Sequence, residues 1–319
     1  VTAYKVWVSE IMLQQTRVAA VKEYYQRFMT EIPTIKELAN IEEDRLLSLW
    51  QGLGYYNRAR NMQKAAQIIE TKYQGFFPTN YLDVLSLPGI GSYTAGAICS
   101  LAFHRPIPAV DGNVLRVLSR VMASFDDITK LSTKKKIEQS LRSILTSDMV
   151  SDFNQGLMEL GALVCLPNGA PKCSICPLRS LCLSYEQNLV SKLPVKSAKK
   201  PRRKVEKTIL VLRHQDRYAI RKREDSGLLA SMYEFPNIDG HYDVDEIKKL
   251  LVNQKIEVQQ IKSLPPSKHI FTHLEWYMIG YEIVCFKPNS NYLWVTKQEL
   301  DPYSLPTAFH YYDPRNKND

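Results

Sequence analysis

Apolar residues in the first part of the chain recur at helical spacing, as at Val6, Ile11, Met12, Val18, Val21, Tyr25 and Phe28. That spacing puts one apolar face on each segment, and short Pro/Gly turns separate the segments, so residues 1–190 are predicted to form an all-α domain. The pattern changes at Thr208. Residues 208–212, 218–220, 276–279 and 281–284 are runs of β-branched, aromatic and aliphatic residues that predict strands. Residues 244–253 return to helical spacing, which makes 208–319 an α+β domain. Between the two lies 191–207, with dense positive charge, two prolines and few large apolar groups. This basic linker either tracks a phosphate backbone or is a solvated tether. The expected fold class is therefore multi-domain, all-α followed by α+β, without internal repeats.

Composition adds bounds. A chain of 319 residues with 45% hydrophobic content can bury two domain-sized cores. A net charge of +9 favours a polyanionic partner. No apolar run reaches membrane-spanning length and no signal peptide opens the chain, so a soluble intracellular protein is expected. The first residue, Val1, stands close to a helical pattern, and the true N-terminus is expected to lie further upstream.

Three local patterns carry chemistry. The first is Leu87-Pro88-Gly89-Ile90-Gly91-Ser92-Tyr93-Thr94, a turn between two helix-like segments. Gly89 and Gly91 allow close backbone approach, and a helix starting just after Gly91 offers bare N–H groups to a phosphate. The same string also serves as an ordinary helix-to-helix turn. The second is Asp111, alone in an apolar run (Ile107, Pro108, Ala109, Val110) that should hold it partly buried, although Asp before Gly is also a common turn pair. The third is a set of four cysteines, Cys165-x7-Cys173-x2-Cys176-x5-Cys182. Four thiolates in one short loop suit a cubane iron–sulfur cluster, and zinc, which prefers two close pairs across a longer loop, is the alternative. Such a cluster would be structural and would present Lys172 and Arg179 outward. Cys99 and Cys285 lie in apolar contexts and are expected to be buried packing residues.

Taken in order, Val8-Ser9-Glu10-Ile11-Met12-Leu13-Gln14-Gln15-Thr16, Gly52-Leu53-Gly54-Tyr55-Tyr56-Asn57-Arg58-Ala59-Arg60, the hairpin at 87–98, Val110-Asp111-Gly112-Asn113 and the four cysteines resemble adenine DNA glycosylases of the MutY type, within the helix-hairpin-helix superfamily. The resemblance covers nearly the whole chain. It implies removal of adenine mispaired with 8-oxoguanine or guanine in double-stranded DNA, a [4Fe–4S] cluster on the four cysteines, and a Nudix-like C-terminal domain that senses 8-oxoguanine. It also implies a monomer in the bacterial cytoplasm, associated with the nucleoid through DNA and not with membranes.

Hydrolysis of an N-glycosidic bond needs an acid to neutralise the leaving base and an anion to stabilise the sugar cation, and paired carboxylates supply both. Glu10, among Val6, Trp7, Val8, Ile11, Met12 and Leu13, sits where burial raises a carboxyl pKa. The resemblance makes Glu10 the general acid at adenine N7 and Asp111 the second carboxylate, by ion pairing or by a covalent adduct. Tyr93 stands where endonuclease III-type enzymes carry a lysine; a phenol cannot form a Schiff base, so base removal without efficient strand cleavage is expected. Tyr93 and Asn113 would position the acid, the water and Asp111. The resemblance further implies that Gln15 intercalates, that Thr16 and Leu53 contact 8-oxoguanine and that Tyr55 wedges beside it. Leu13, Val18 and Gln155 would line the adenine pocket. Tyr55, Tyr56, Arg58 and Arg60 would form an exposed aromatic–Arg cluster for stacking and phosphate contact.

Residues 227–236 resemble the start of a Nudix fold, but 243–251 lack the paired acids that hold magnesium in its hydrolases. This domain is therefore expected to be a reader, with Phe271-Thr272-His273 matching the family's lesion-recognising Phe-Ser-His. Two departures stand out: the first cysteine gap is x7 where the family usually has x6, and the N-terminal helix with its Leu-Pro-Trp-Arg segment does not precede Glu10. The second implies a less stable or less active chain. The rival readings are an endonuclease III-like lyase, a lesion-binding protein without catalysis, and a Nudix nucleotide hydrolase.

Overall fold

The structure, a computed structural model, describes residues 1–16, 18–198 and 201–316. Lys199 and Lys200 of the expected linker lie outside these residues. Two compact units emerge: Val1–Asn40 with Arg60–Lys199, and Ile41–Ala59 with Lys200–Asp319. Ile41–Ala59 thus falls in the second unit, where a boundary at 190 would have kept it in the first. Non-local contacts make this assignment, and local pattern carries no sign of them.

The helices of the chain up to residue 190 are α1 (Ala3–Leu13), α2 (Val18–Glu31), α3 (Ile35–Asn40), α4 (Glu43–Trp50), α5 (Asn57–Tyr73), α6 (Tyr81–Leu85), α7 (Ser92–Phe103), α8 (Gly112–Val121), α9 (Leu131–Arg142), α10 (Val150–Leu163) and α11 (Leu183–Glu186). Side chains set several starts. Thr2 caps α1 through Lys5 N, Asn80 caps α6 through Leu82 N, and Asp111 caps α8. Each satisfies an otherwise orphaned N–H, a gain of about 1 kcal/mol apiece. In the first unit α1 packs on α7, and α8 on α10. Trp7 is fully buried and meets Phe77 edge-on. Val110, Val114, Val117, Ile137, Leu157 and Leu160 form the core that fixes the start of α8.

In the second unit a seven-stranded sheet runs β3-β2-β1-β6-β5, with β4 on β1 and β7 on β2. Its strands are β1 (Arg203–His214), β2 (Arg217–Lys222), β3 (Tyr233–Glu234), β4 (Asn237–Asp239), β5 (Val258–Ile270), β6 (Leu274–Cys285) and β7 (Leu293–Thr296), and α12 spans Val244–Asn253. β1 and β6 are parallel; the other pairs are antiparallel. The alternation of β1 feeds two cores: Ile209 and Val211 join Phe235, Trp276 and Phe309, while Leu210 and Leu212 join Ile247, Leu251 and Ile283. This is why β1 reads as a continuous apolar run.

Three sequence expectations need correction. The expected linker ends early, because residues 203–207 are the first five of β1 and pair with residues 274–278 of β6. The two strands expected at 276–279 and 281–284 are one, β6, running through Gly280. A Cβ there would lie 2.3 Å from the Tyr312 ring, so glycine admits that ring and does not end the strand. β5, expected as no element at all, carries Pro265 and Pro266 at a register shift between Leu264 and Ser267. Two missing donors are tolerated there because the ladder is already interrupted.

Candidate active site

Glu10 lies on α1, 8% exposed. Tyr93, the second residue of α7, donates its phenolic proton to Glu10 Oε2 at 2.5 Å and also approaches Met158 Sδ of α10 at 3.2 Å. Burial raises the Glu10 pKa above its ordinary value; the Tyr93 hydrogen bond opposes this, and the charge of Asp111 adds to it. Burial, then Glu10 and Asp111, push the Tyr93 phenol up as well, so it stays protonated as a donor. Both carboxylates therefore act on one phenol.

Asp111 is the N-cap of α8, and its side chain is half-buried, as expected. Oδ1 accepts from Asn113 N (2.9 Å) and Val114 N (2.8 Å), and Oδ2 accepts from Asn113 Nδ2 (2.7 Å). Three N–H donors at a helix N-terminus compensate its charge and fix its direction. Asn113 is itself held, accepting from Arg116 Nη2 at 2.8 Å. Arg116 also donates to the carbonyls of Cys165 and Gly161 at 2.7 Å each, which joins the carboxylate to the start of the cysteine loop. Gly161 makes this approach possible: a Cβ there would stand 2.5 Å from Asn113 Cβ. Buried Asn154 of α10 ties down the preceding loop, accepting from Ala109 N (3.1 Å) and donating to Ile107 O (3.0 Å). Met158, Asn154 and Arg116 escaped the sequence reading, because their partners lie far away in the chain; Arg116, three residues past Asn113, carried the only local hint.

Around this centre, Gly89 has φ of +76° and marks the sharp turn of the hairpin. Gly91 is the N-cap of α7, with open space where a Cβ would be. Ser92 Oγ donates to Glu138 Oε1 at 2.8 Å. Leu13 and Thr16 are half-buried, and Gln15 is exposed with φ of +59°. Val18 is exposed at the start of α2. Gln155 is exposed on α10 and donates to Ser151 Oγ at 3.1 Å.

In the second unit Leu53 is buried, 5% exposed, whereas Tyr55 is 49% exposed with φ of +49°. The expected exposed aromatic–Arg cluster is corrected: Tyr56 is buried, and Arg58 is desolvated enough to bring its pKa down to about 10. Phe271, Thr272 and His273 form the tight connection between β5 and β6, closed by Phe271 N to Leu274 O at 2.9 Å. Phe271 packs edge-on against His269 and Trp276, and Thr272 and His273 are exposed. The Tyr55 hydroxyl and Thr272 Oγ1 are 2.8 Å apart, so the expected wedge and reading loop meet directly. On α12, Asp243 and Glu246 form a capping box and Asp245 pairs with Lys248. The acids there serve the helix itself.

None of the six cysteines is in a disulfide, and Cys99 and Cys285 are buried. Cys165, Cys173, Cys176 and Cys182 line one small apolar cavity of about 30 Å³, together with Val117, Arg120 and Leu160. Among the described residues no group of three or more His, Cys, Asp or Glu side chains forms a ready-made ion site. The donor set nonetheless suits a soft cationic centre. Burial and the other three sulfurs raise the Cys173 pKa, the repulsion that a bound metal relieves. Arg120 Nη1 points at Cys165 Sγ from 3.2 Å.

A hairpin leading into α7, with a guarded acid at the head of α8, defines a class. Residues 8–145 match the HhH-GPD superfamily of base excision DNA repair proteins, and residues 208–312 match the NUDIX domain. The helical part resembles solved structures of a thermostable thymine-DNA glycosylase (28% identity, TM-score 0.52, 58% of this chain and 85% of that one) and of an endonuclease III–DNA complex (26%, TM-score 0.52, 59% and 86%). Adenine DNA glycosylases of two Buchnera aphidicola subspecies are 35% and 36% identical over 96% and 95% of this chain, and 88% and 87% of theirs. The human adenine DNA glycosylase is 31% identical over 96% of this chain and 66% of its own. The chain belongs to the adenine DNA glycosylase family.

Proposed function

We infer that this chain is a monofunctional adenine DNA glycosylase of base excision repair, which hydrolyses the N-glycosidic bond of adenine mispaired with 8-oxoguanine or guanine in duplex DNA. One observation carries the reading: buried Glu10 accepts the Tyr93 phenolic proton at 2.5 Å, and Asp111, fixed by three N–H donors, adds its charge to the rise in pKa of both groups.

Extruding the adenine from the stack costs a few kcal/mol, least at a mispair. Tyr93 occupies Glu10 Oε2, which leaves the other oxygen to carry the proton for adenine N7. As the C1′–N9 bond breaks, its electrons go to the base, which leaves neutral. The developing sugar cation faces Asp111, whose charge the α8 N–H groups hold in place. Water then adds at C1′ and gives its proton to the Glu10 carboxylate, which restores the acid and leaves an abasic site. No amine takes part, so the strand stays intact. Gln15, Thr16, Leu13, Val18 and Gln155 contact the opened duplex and the adenine, Gly89 and Gly91 seat a phosphate, and Leu53, Tyr55, Phe271, Thr272 and His273 read the opposite base.

Cys165, Cys173, Cys176 and Cys182 would hold a [4Fe–4S] cluster, whose contribution is to cross-link the loop against α8. No helix among the described residues is long and apolar enough to cross a membrane. Work on chromosomal DNA in a bacterial cytoplasm fits this reading. The test is a duplex with a single 8-oxoguanine·adenine pair, incubated with and without alkali. Strand breaks only after alkali are expected; equal breaks without alkali, or none in either arm, would refute the reading.

A further inference from the structure

Helix α10 has a second face, turned away from Asn154 and Met158. Asp152, Gly156, Glu159 and Leu163 follow at i, i+4, i+7 and i+11, so they share one stripe, and all four are exposed. The stripe borders an open groove of about 450 Å³, with Phe153, Leu157 and Leu160 beneath it and Pro177 and Leu178 of the cysteine loop beside it.

Two features say what this groove accepts. Gly156 sits inside a 14-residue helix, where glycine is the worst helix former after proline. A Cβ there would meet no atom within 4 Å, so no contact inside the chain accounts for it. Gly161 of the same helix differs, since Asn113 fills its space. A bare backbone on an exposed face lets another backbone approach closely. Charge supplies the second feature. The chain carries +9 overall, yet the groove is flanked by two carboxylates, Asp152 and Glu159, with no ion pair among the described residues. That arrangement repels a polyanion and attracts a cation.

We propose that this groove docks an apolar, positively charged segment of a partner protein, its backbone against Gly156 and its Lys or Arg side chains at Asp152 and Glu159. The occupied face is the back of the helix that carries Asn154 and Met158, and its edge adjoins Gln155.

A fluorescent amphipathic helical peptide of leucine and lysine, titrated with the full cluster-loaded chain, tests this. Saturable binding is expected, with none for a leucine–glutamate peptide. Gly156→Leu fills the groove while improving helix propensity, and should weaken binding by about tenfold or more, as loss of a central anchor does. Asp152→Asn with Glu159→Gln should weaken it several-fold and flatten its salt dependence. Circular dichroism and base release, unchanged in both variants, report an intact fold. No binding, equal binding of the two peptides, or an unaffected Gly156→Leu overturns the proposal. Displacement of the peptide by undamaged duplex would assign the face to nucleic acid, and self-association abolished by Gly156→Leu would assign it to a second copy; either result overturns the partner stated here.

Discussion

Glu10 shows how one side chain's setting becomes chemistry. Burial raises its pKa above the ordinary 4.5, so the folded state binds a proton that the unfolded chain has released. The sign follows. Below the unfolded value both states are protonated and burial carries no charge penalty. As pH rises toward the folded value stability falls, and above it the penalty is complete. Glu10→Gln is therefore expected to flatten this decline and to be more stable than the parent at neutral and alkaline pH, as urea midpoints across pH would show. The same change should cut single-turnover base release by at least about 10²-fold, the usual worth of a general acid. In the parent, the rate should fall as pH rises through the Glu10 pKa. A variant both less stable and equally active would remove Glu10 from the acid role. At this scale the burial of the two carboxylates was legible because each stands in an apolar run, whereas their roles came only from the family resemblance. Met158 and Asn154 were not, since their partners lie 65 and 45 or more residues away and nothing local marks them.

Between elements, the crossing of α8 and α10 at Gly161 sets the distance from Asn113 to the start of the cysteine loop. Gly161→Ala adds a methyl 2.5 Å from Asn113 Cβ, and overpacking of this kind costs about 1–3 kcal/mol. The shift also reaches Asp111 through Asn113 Nδ2, so base release should fall further than stability alone explains. Single-turnover rates measured where the variant is still folded separate the two effects. The four cysteines close against the same crossing, because Cys165 and Cys176 pack on the core of α8 and α10. Chelating the iron of the proposed cluster should strip amide-exchange protection from residues 165–182 and from the Arg116 contacts, while the sheet of the second unit keeps its own. Strand patterns show why element prediction was uneven. β1 announces itself through two buried faces, whereas β5 is largely exposed along its length and interrupted by two prolines, so only pairing with β6 makes it a strand.

At the scale of the molecule, the discontinuity of the second unit has a mechanical consequence. Ile41–Ala59 belongs to that unit, and its polar contacts there are explicit: Lys222 Nζ to Asp44 Oδ1 at 3.1 Å, Gln51 Nε2 to Leu305 O at 3.2 Å, and the Tyr55 hydroxyl to Thr272. Cleaving the basic segment between the units would leave residues 41–59 on the N-terminal fragment and their partners on the other. The fragments should therefore co-elute on gel filtration after limited trypsin digestion. Each polar contact is worth about 1 kcal/mol or less, and the Lys222–Asp44 pair is half-exposed and open to screening. High salt should thus loosen the complex only slightly, whereas Asp44→Lys, which turns attraction into repulsion, should loosen it more. Clean separation of the fragments at low salt would show that residues 41–59 do not hold the sheet, and that the basic segment alone keeps Tyr55 beside Thr272.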